Sequence, residues 1–282
     1  MINTLAKHLE IILQKINFMK IAIICSLSDK ELKSSLILRK FFSSNDIEVD
    51  SLMVIKKSYK KSNKYYIQEK LLGYLDHLFC SLSHFLLGVF LKSFNFNYDF
   101  NSRKFFRIET VINNYSQNIN KLIYVESLNS DLVKDTLIER NIDMLILAGV
   151  GIVKDKIISI PNLTILNVHS SVLPGYRGTE SEIFALADAK YDLIGNTVHI
   201  VNNKIDAGEI LSVIKFPQNK LKFGVAYIRY LNKVLSANNL FNTIKNIKSI
   251  RPKINDINKS VYRSQPSREI LAKAKKNSYK CV

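Results

Sequence analysis

Short, uniformly apolar runs alternating with helix-length stretches constrain this 282-residue chain more than any other feature. "KIAIICS" (20–26), "EVDSLMVI" (48–55), "KLIYVES" (121–127), "DMLILAGV" (143–150) and "LTILNVH" (163–169) read as strands. Between the third and fourth lies "SDLVKDTLIERN". There Ser130 is placed to cap a helix carrying Leu132, Val133, Leu137 and Ile138 on one face. Residues 30–43 repeat Leu32, Leu36, Leu38 and Phe41 at roughly helical spacing. Strands apolar on both faces, with helices between them, predict an α/β fold with a mainly parallel sheet covered on both sides. Two more strand candidates, "GNTVHIVN" (195–202) and "EILSVIKF" (209–216), follow. Ligands of such sheets sit beyond the carboxyl ends of the strands, so the end of 163–169 is the place to look for chemistry.

Composition supports a core, with 47% of residues hydrophobic. The net charge of +17 permits attraction to phosphates, nucleic acid or an anionic membrane. The lysines are nevertheless spread along a chain rich in Asn and Ile, and no specific nucleic-acid partner is predicted. Cys25, Cys80 and Cys281 are far apart and odd in number, which predicts a reducing cytoplasmic setting, with neither a disulfide framework nor a metal site. The N-terminal stretch 1–18 lacks the apolar core and cleavage site of a signal peptide, and its Leu5, Leu9, Ile12 and Ile16 predict an amphipathic helix.

Residues 56–120 interrupt the alternation. Their apolar core, Leu78 to Leu91, is 14 residues long, short of the roughly 20 needed to span a bilayer. A buried helical insertion is the preferred reading, ahead of membrane contact through 71–95. Beyond 217 a long helix is expected, then a basic tail at 251–282 with nine Lys or Arg against two acids. The predicted layout is therefore an N-terminal helix at 1–18, a catalytic domain at 19–217 holding the 56–120 insertion, and a helical extension with its tail at 218–282.

The chemistry concentrates in "ILNVHSSVLPGYRGTESEIFAL" (165–186). Residues i and i+2 of a strand share a face, so Asn167 and His169 point together while Val168 points into the sheet. An amide and an imidazolium side by side can hold an oxygen that becomes negative in a transition state. Pro174-Gly175 then turns the chain, and Thr179 is placed to start a helix. Downstream, "HIVNNKIDAGEIL" (199–211) puts Asp206 in a short loop before Ala207-Gly208, where the backbone can pass close to a ligand. His199 reads as a structural histidine. Singly, an Asn or His at a strand end is more often structural than catalytic, and an Asp before Ala-Gly is usually a turn residue.

Together, "NVHSSVLPGYRG", "GNTVHIV" and "IDAGEIL" make the chain resemble the N10-formyltetrahydrofolate-dependent formyltransferase family. The correspondence is strong over about 143–211 and looser back to Lys20. It implies a Rossmann-like formyltransferase domain, and "AGVG" (148–151) lacks the GxGxxG pattern that would imply a dinucleotide. The family's catalytic trio carries over to Asn167, His169 and Asp206. The resemblance also implies that the pterin of the co-substrate, N10-formyltetrahydrofolate, lies against backbone near Gly149, Val150, Gly151, Ile152 and Asn203. The acceptor is expected near Ser171, Tyr176, Arg177 and Gly178.

Enzymes of this family formylate methionyl-tRNA, glycinamide ribonucleotide or nucleotide-linked amino sugars. The tRNA enzymes add a β-barrel of about a hundred residues, whereas here 65 residues follow 217 and open with a helix. The ribonucleotide enzymes resemble only the 19–217 core. The resemblance therefore implies a small acceptor amine, most simply a nucleotide-linked amino sugar. The alternatives are methionyl-tRNA, glycinamide ribonucleotide, or a catalytically silent homologue that binds folate or a partner. A homodimer is left open.

Overall fold

The computed structural model describes residues 19–27, 32–44, 46–56 and 108–278. The expected helix at 1–18, most of the 56–120 insertion with its 71–95 segment, Cys80 and Cys281 lie outside the described residues.

Strand β1 (Ile21–Ser26) shows why the apolar runs are continuous. Ile21, Ile23 and Cys25 enter one core, and Ala22 and Ile24 enter the core on the opposite face. Strand β4 (Met144–Ala148) divides in the same way, Met144, Ile146 and Ala148 against Leu145 and Leu147. A strand buried on both faces has no position left for a polar residue. With β2 (Val49–Ile55), β3 (Leu122–Val125) and β5 (Thr164–His169), these form the parallel part of a seven-stranded sheet. Strands β7 (Gly195–Ile200) and β8 (Ile210–Lys215) complete it antiparallel, in the order β3-β2-β1-β4-β5-β7-β8.

Helices α1 (Leu32–Phe42) and α2 (Ile108–Asn114) cover one face, helices α3 (Asp131–Glu139) and α4 (Asp155–Ile158) the other. Ser130 caps α3 as expected, its Oγ accepting from the Val133 N–H at 3.4 Å. The predicted apolar face is narrower than expected, however. Val133 and Leu137 are buried, whereas Leu132 and Ile138 are 50% and 47% exposed. Helix α5 (Ser181–Ala187) follows the short strand β6 (Tyr176–Gly178). Its N-terminus differs from expectation too. Glu180, in the left-handed region with φ 53°, stands at the cap position, and Thr179 does not.

The segment after 217 is neither an appendage nor purely helical. Helix α6 (Val225–Lys245) lays Tyr230, Val234, Ala237, Phe241 and Ile244 on the main core, with Phe241 edge-on to Phe41. Its Asn232 and Asn239 reach the sheet. Asn196 Nδ2 donates to Asn232 Oδ1 at 3.3 Å, and Asn239 Nδ2 donates to Asn196 Oδ1 at 2.8 Å. These buried amides satisfy one another and lock α6 in register on β7. Strand β9 (Val261–Arg263) then pairs parallel with β6, and helix α7 (Arg268–Ser278) buries Ala274 in the cluster containing Phe184 and Leu186. Among the described residues no helix is long and apolar enough to cross a membrane.

Candidate active site

The site grows from the end of β5. Leu166 and Val168 point into the core, which turns Asn167 and His169 to the opposite face. Antiparallel pairing places His199 of β7 directly across from Asn167, with the Asn167 Nδ2 and His199 Nε2 3.2 Å apart. Asp206 arrives from the loop between β7 and β8 in a left-handed conformation, φ 48°. Its two oxygens meet both imidazoles: Oδ2 is 3.4 Å from His169 Nδ1, and Oδ1 is 3.5 Å from His199 Nε2. Asn167 and His169, neighbours on one strand face, thus form one cluster with Asp206 and His199, which lie thirty or more residues downstream.

The Asp206 loop is held from several sides. The Gly178 N–H donates to Asp206 Oδ2 at 2.8 Å. Asn255 Nδ2 donates to the carbonyls of Asp206 and Gly208 at 3.0 and 3.1 Å. Gly208 lies so close to β7 that a Cβ there would come 1.8 Å from the Ile200 carbonyl oxygen. Gly208 is therefore needed for a close backbone approach, to the protein's own strand.

Electrostatics single out His169 and Asp206. Burial is the largest influence on Asp206 and raises its pKa, but the charge of His169 leads the influences that outweigh it, with the Gly178 N–H adding to it, and the carboxyl is held well below the usual range. Burial pulls His169 below its ordinary value, opposed by Asp206 and the Tyr176 carbonyl. Geometry favours the opposing side. His169 Nε2 lies 2.8 Å from the Tyr176 carbonyl while Nδ1 faces the Asp206 carboxylate. Either neutral tautomer would aim a lone pair at an acceptor, so the imidazolium fits these surroundings best. Both ring nitrogens are engaged, which leaves Asn167, half-buried, as the member with an amide N–H to spare.

The expected acceptor residues divide. Ser171 is fully buried with its Oγ 3.4 Å from the Leu193 carbonyl. Tyr176 is 1% exposed and donates to Asp188 Oδ2 at 2.6 Å; burial and Asp188 push its hydroxyl pKa up. These two side chains brace the turn and face inward, contrary to expectation. Arg177 is half-buried, donating from Nε to Ser260 Oγ at 2.7 Å and from Nη1 to the Ile205 carbonyl at 3.0 Å. It ties the turn to the loop before Asp206. Gly178 touches Asp206 itself.

The expected pterin-side residues follow β4, next to β5. Gly149 adopts φ 69°, a Cβ at Gly151 would meet nothing within 4 Å, and Ile152 is 66% exposed. Val150 packs partly on the core, and Asn203 is exposed in the β7–β8 loop. An open backbone with one exposed apolar side chain suits a flat heteroaromatic ring beside the cluster.

Sequence reasoning passed over Lys33 and Asn255. Lys33, on α1, donates to the Val168 carbonyl and adds positive charge near His169. Neither carries a local signal, because each acts on residues remote in the chain.

The formyl transferase family model matches residues 111–219, which include the whole cluster. A methionyl-tRNA formyltransferase from Hydrogenobaculum sp. is 37% identical over 86 residues, covering 30% of this chain and 28% of that one. The matched stretches span less than a third of the first curated relatives' length. Two solved structures share the fold. Glycinamide ribonucleotide transformylase 1 from Symbiobacterium toebii has a TM-score of 0.54 at 16% identity, covering 86% of this chain and 96% of the other. A sugar N-formyltransferase from Shewanella sp has a TM-score of 0.51 at 15% identity, covering 93% and 88%.

Proposed function

With a formyl transferase domain in residues 111–219 as the premise, we propose that this protein moves a formyl group from N10-formyltetrahydrofolate to a primary amine, that of a nucleotide-linked amino sugar. The observation that carries the reading is the convergence of Asn167, His169 and Asp206, with His169 and Asp206 3.4 Å apart. The amine nitrogen attacks the formyl carbon, a new C–N bond forms, and the carbonyl oxygen becomes an oxyanion. The spare Asn167 N–H donates to that oxygen, and the buried imidazolium of His169 stabilises its charge at short range. Asp206 keeps His169 cationic and takes the proton the amine sheds, directly or through water. Collapse breaks the C–N10 bond, and N10 leaves with a proton.

A small acceptor is supported by what residues 218–278 do. Rather than forming a separate contact surface, α6 packs on the catalytic sheet while β9 and Ser260 brace the Tyr176–Gly178 strand beside Asp206. The positive net charge suits the phosphates of a nucleotide sugar. The test incubates the protein and N10-formyltetrahydrofolate with UDP-, dTDP- and GDP-linked amino sugars and with charged initiator tRNA. A mass gain of one formyl group on a sugar is expected, with tRNA binding lost by about 0.2 M salt. Salt-resistant tRNA binding with efficient formylation would overturn the choice of acceptor.

A further inference from the structure

We infer that His199 is a positioning residue for the reaction: as a neutral imidazole protonated on Nδ1, it fixes the Asn167 amide with its NH2 group toward the oxyanion. The inference rests on the formyl-transfer reading for its kinetic consequence, but its structural content stands without it.

The protons can be assigned from the neighbours. His199 Nδ1 lies 2.9 Å from the Ile200 carbonyl oxygen, which has only lone pairs to offer, so Nδ1 carries a hydrogen. The question is whether Nε2 carries one as well. Its neighbours are Asn167 Nδ2 at 3.2 Å and Asp206 Oδ1 at 3.5 Å. A second proton would make His199 a cation, 2% exposed, sharing a single carboxylate with His169. His169 has the stronger claim on that one negative charge. Each ring has one nitrogen on a backbone carbonyl and the other facing Asp206. The nearest neighbour of His199 Nε2, however, is the Asn167 amide nitrogen at 3.2 Å, closer than the carboxylate at 3.5 Å, and His169 has no such donor beside it among the described residues. His199 therefore stays neutral, and its Nε2 lone pair accepts from Asn167.

That contact decides which way Asn167 points. An amide side chain has two nearly isosteric orientations, one presenting N–H and the other a carbonyl oxygen. Donating one N–H to His199 leaves the second for the developing oxyanion and turns Oδ1 away from it. Without His199 the amide can rotate, and the orientation with Oδ1 toward the oxyanion would oppose the charge that forms. The contact is preorganisation: it acts in the transition state and touches neither the pterin nor the acceptor.

Two measurements test this. In the wild-type protein at neutral pH, nitrogen NMR of labelled histidine should show Nδ1 of His199 as the protonated nitrogen and Nε2 as bare. A ring protonated on Nε2 would overturn the assignment. Kinetically, His199→Leu keeps the volume and removes the acceptor, while His199→Gln offers a side-chain oxygen near the place of Nε2. His199→Leu should lower kcat by roughly tenfold with KM for the formyl donor unchanged, and His199→Gln should recover most of the loss. Equal losses in the two variants, or wild-type kcat in His199→Leu, would sink the positioning role. The NMR assignment needs no acceptor, and a wild-type protein that formylates nothing would count against the reaction alone.

Discussion

On the formyl-transfer reading proposed above, Asn167 is the residue on which the chemistry leans most heavily, because both nitrogens of His169 are already engaged. Asn167→Ala should lower kcat by about a hundredfold or more, the usual loss for one oxyanion donor, while donor KM and melting temperature change little. Turnover at the wild-type rate would remove Asn167 from the mechanism. Asp206 makes a different prediction, in acid. Its folded-state pKa is depressed, so its contribution to stability is complete above the ordinary carboxylate value near 4 and fades as pH falls below it. The melting-temperature gap between wild type and Asp206→Asn should therefore be full at neutral pH and begin to narrow below about pH 4, without closing by pH 3. A constant gap would mean that the carboxylate charge is not what stabilises the loop. Much of this was legible in the sequence, since strand parity pairs Asn167 with His169 and the Asp-Ala-Gly pattern marks Asp206. The engagement of His169 by the Tyr176 carbonyl was not, because only the folded turn brings that carbonyl back to the ring.

Between β5 and β8 the site depends on how short elements approach one another. Gly178 has φ 102°, and a Cβ there would lie 1.9 Å from the Arg263 carbonyl oxygen. Its need for glycine thus comes from β9, far down the chain, and the Tyr-Arg-Gly motif gave no hint of that partner. Gly178→Ala should cost about 2–4 kcal/mol, combining a left-handed conformation with a backbone clash. Because Gly178 N–H also holds Asp206 Oδ2, kcat should fall as well. An unchanged melting temperature would show that β6 and β9 part easily. Asn255 is a second case. It braces the Asp206 loop through two carbonyls, yet reads in sequence as one polar residue of a basic tail. The parallel sheet was legible because each strand must be apolar on both faces. The inward-facing Ser171 and Tyr176 were not, since a motif lists residues without saying which way the turn aims them.

At the scale of the whole molecule, the question is what the basic C-terminal stretch is for. Its charge suggests a contact for polyanions, but its packing gives it a place in the architecture. Residues 251–278 supply Asn255, Ser260, strand β9 and the buried Ala274 of α7, and so hold the Arg177 turn, the Asp206 loop and the outer face of α5. Charge and scaffold are separable because Lys275 and Lys276 are exposed on α7, whereas Ala274 between turns of the same helix is fully buried. Replacing both lysines by Ser should weaken any loose RNA binding and leave formyl transfer unchanged, as exposed charges contribute little to stability. Deleting everything after residue 250 should instead expose the apolar surface around Phe184 and Leu186 and abolish turnover. The comparison is made by melting temperature and by formyl transfer in parallel. A truncated protein with wild-type melting and turnover would show the stretch to be dispensable. Loss of turnover in the double-lysine variant alone would assign its charge, rather than its packing, to the reaction.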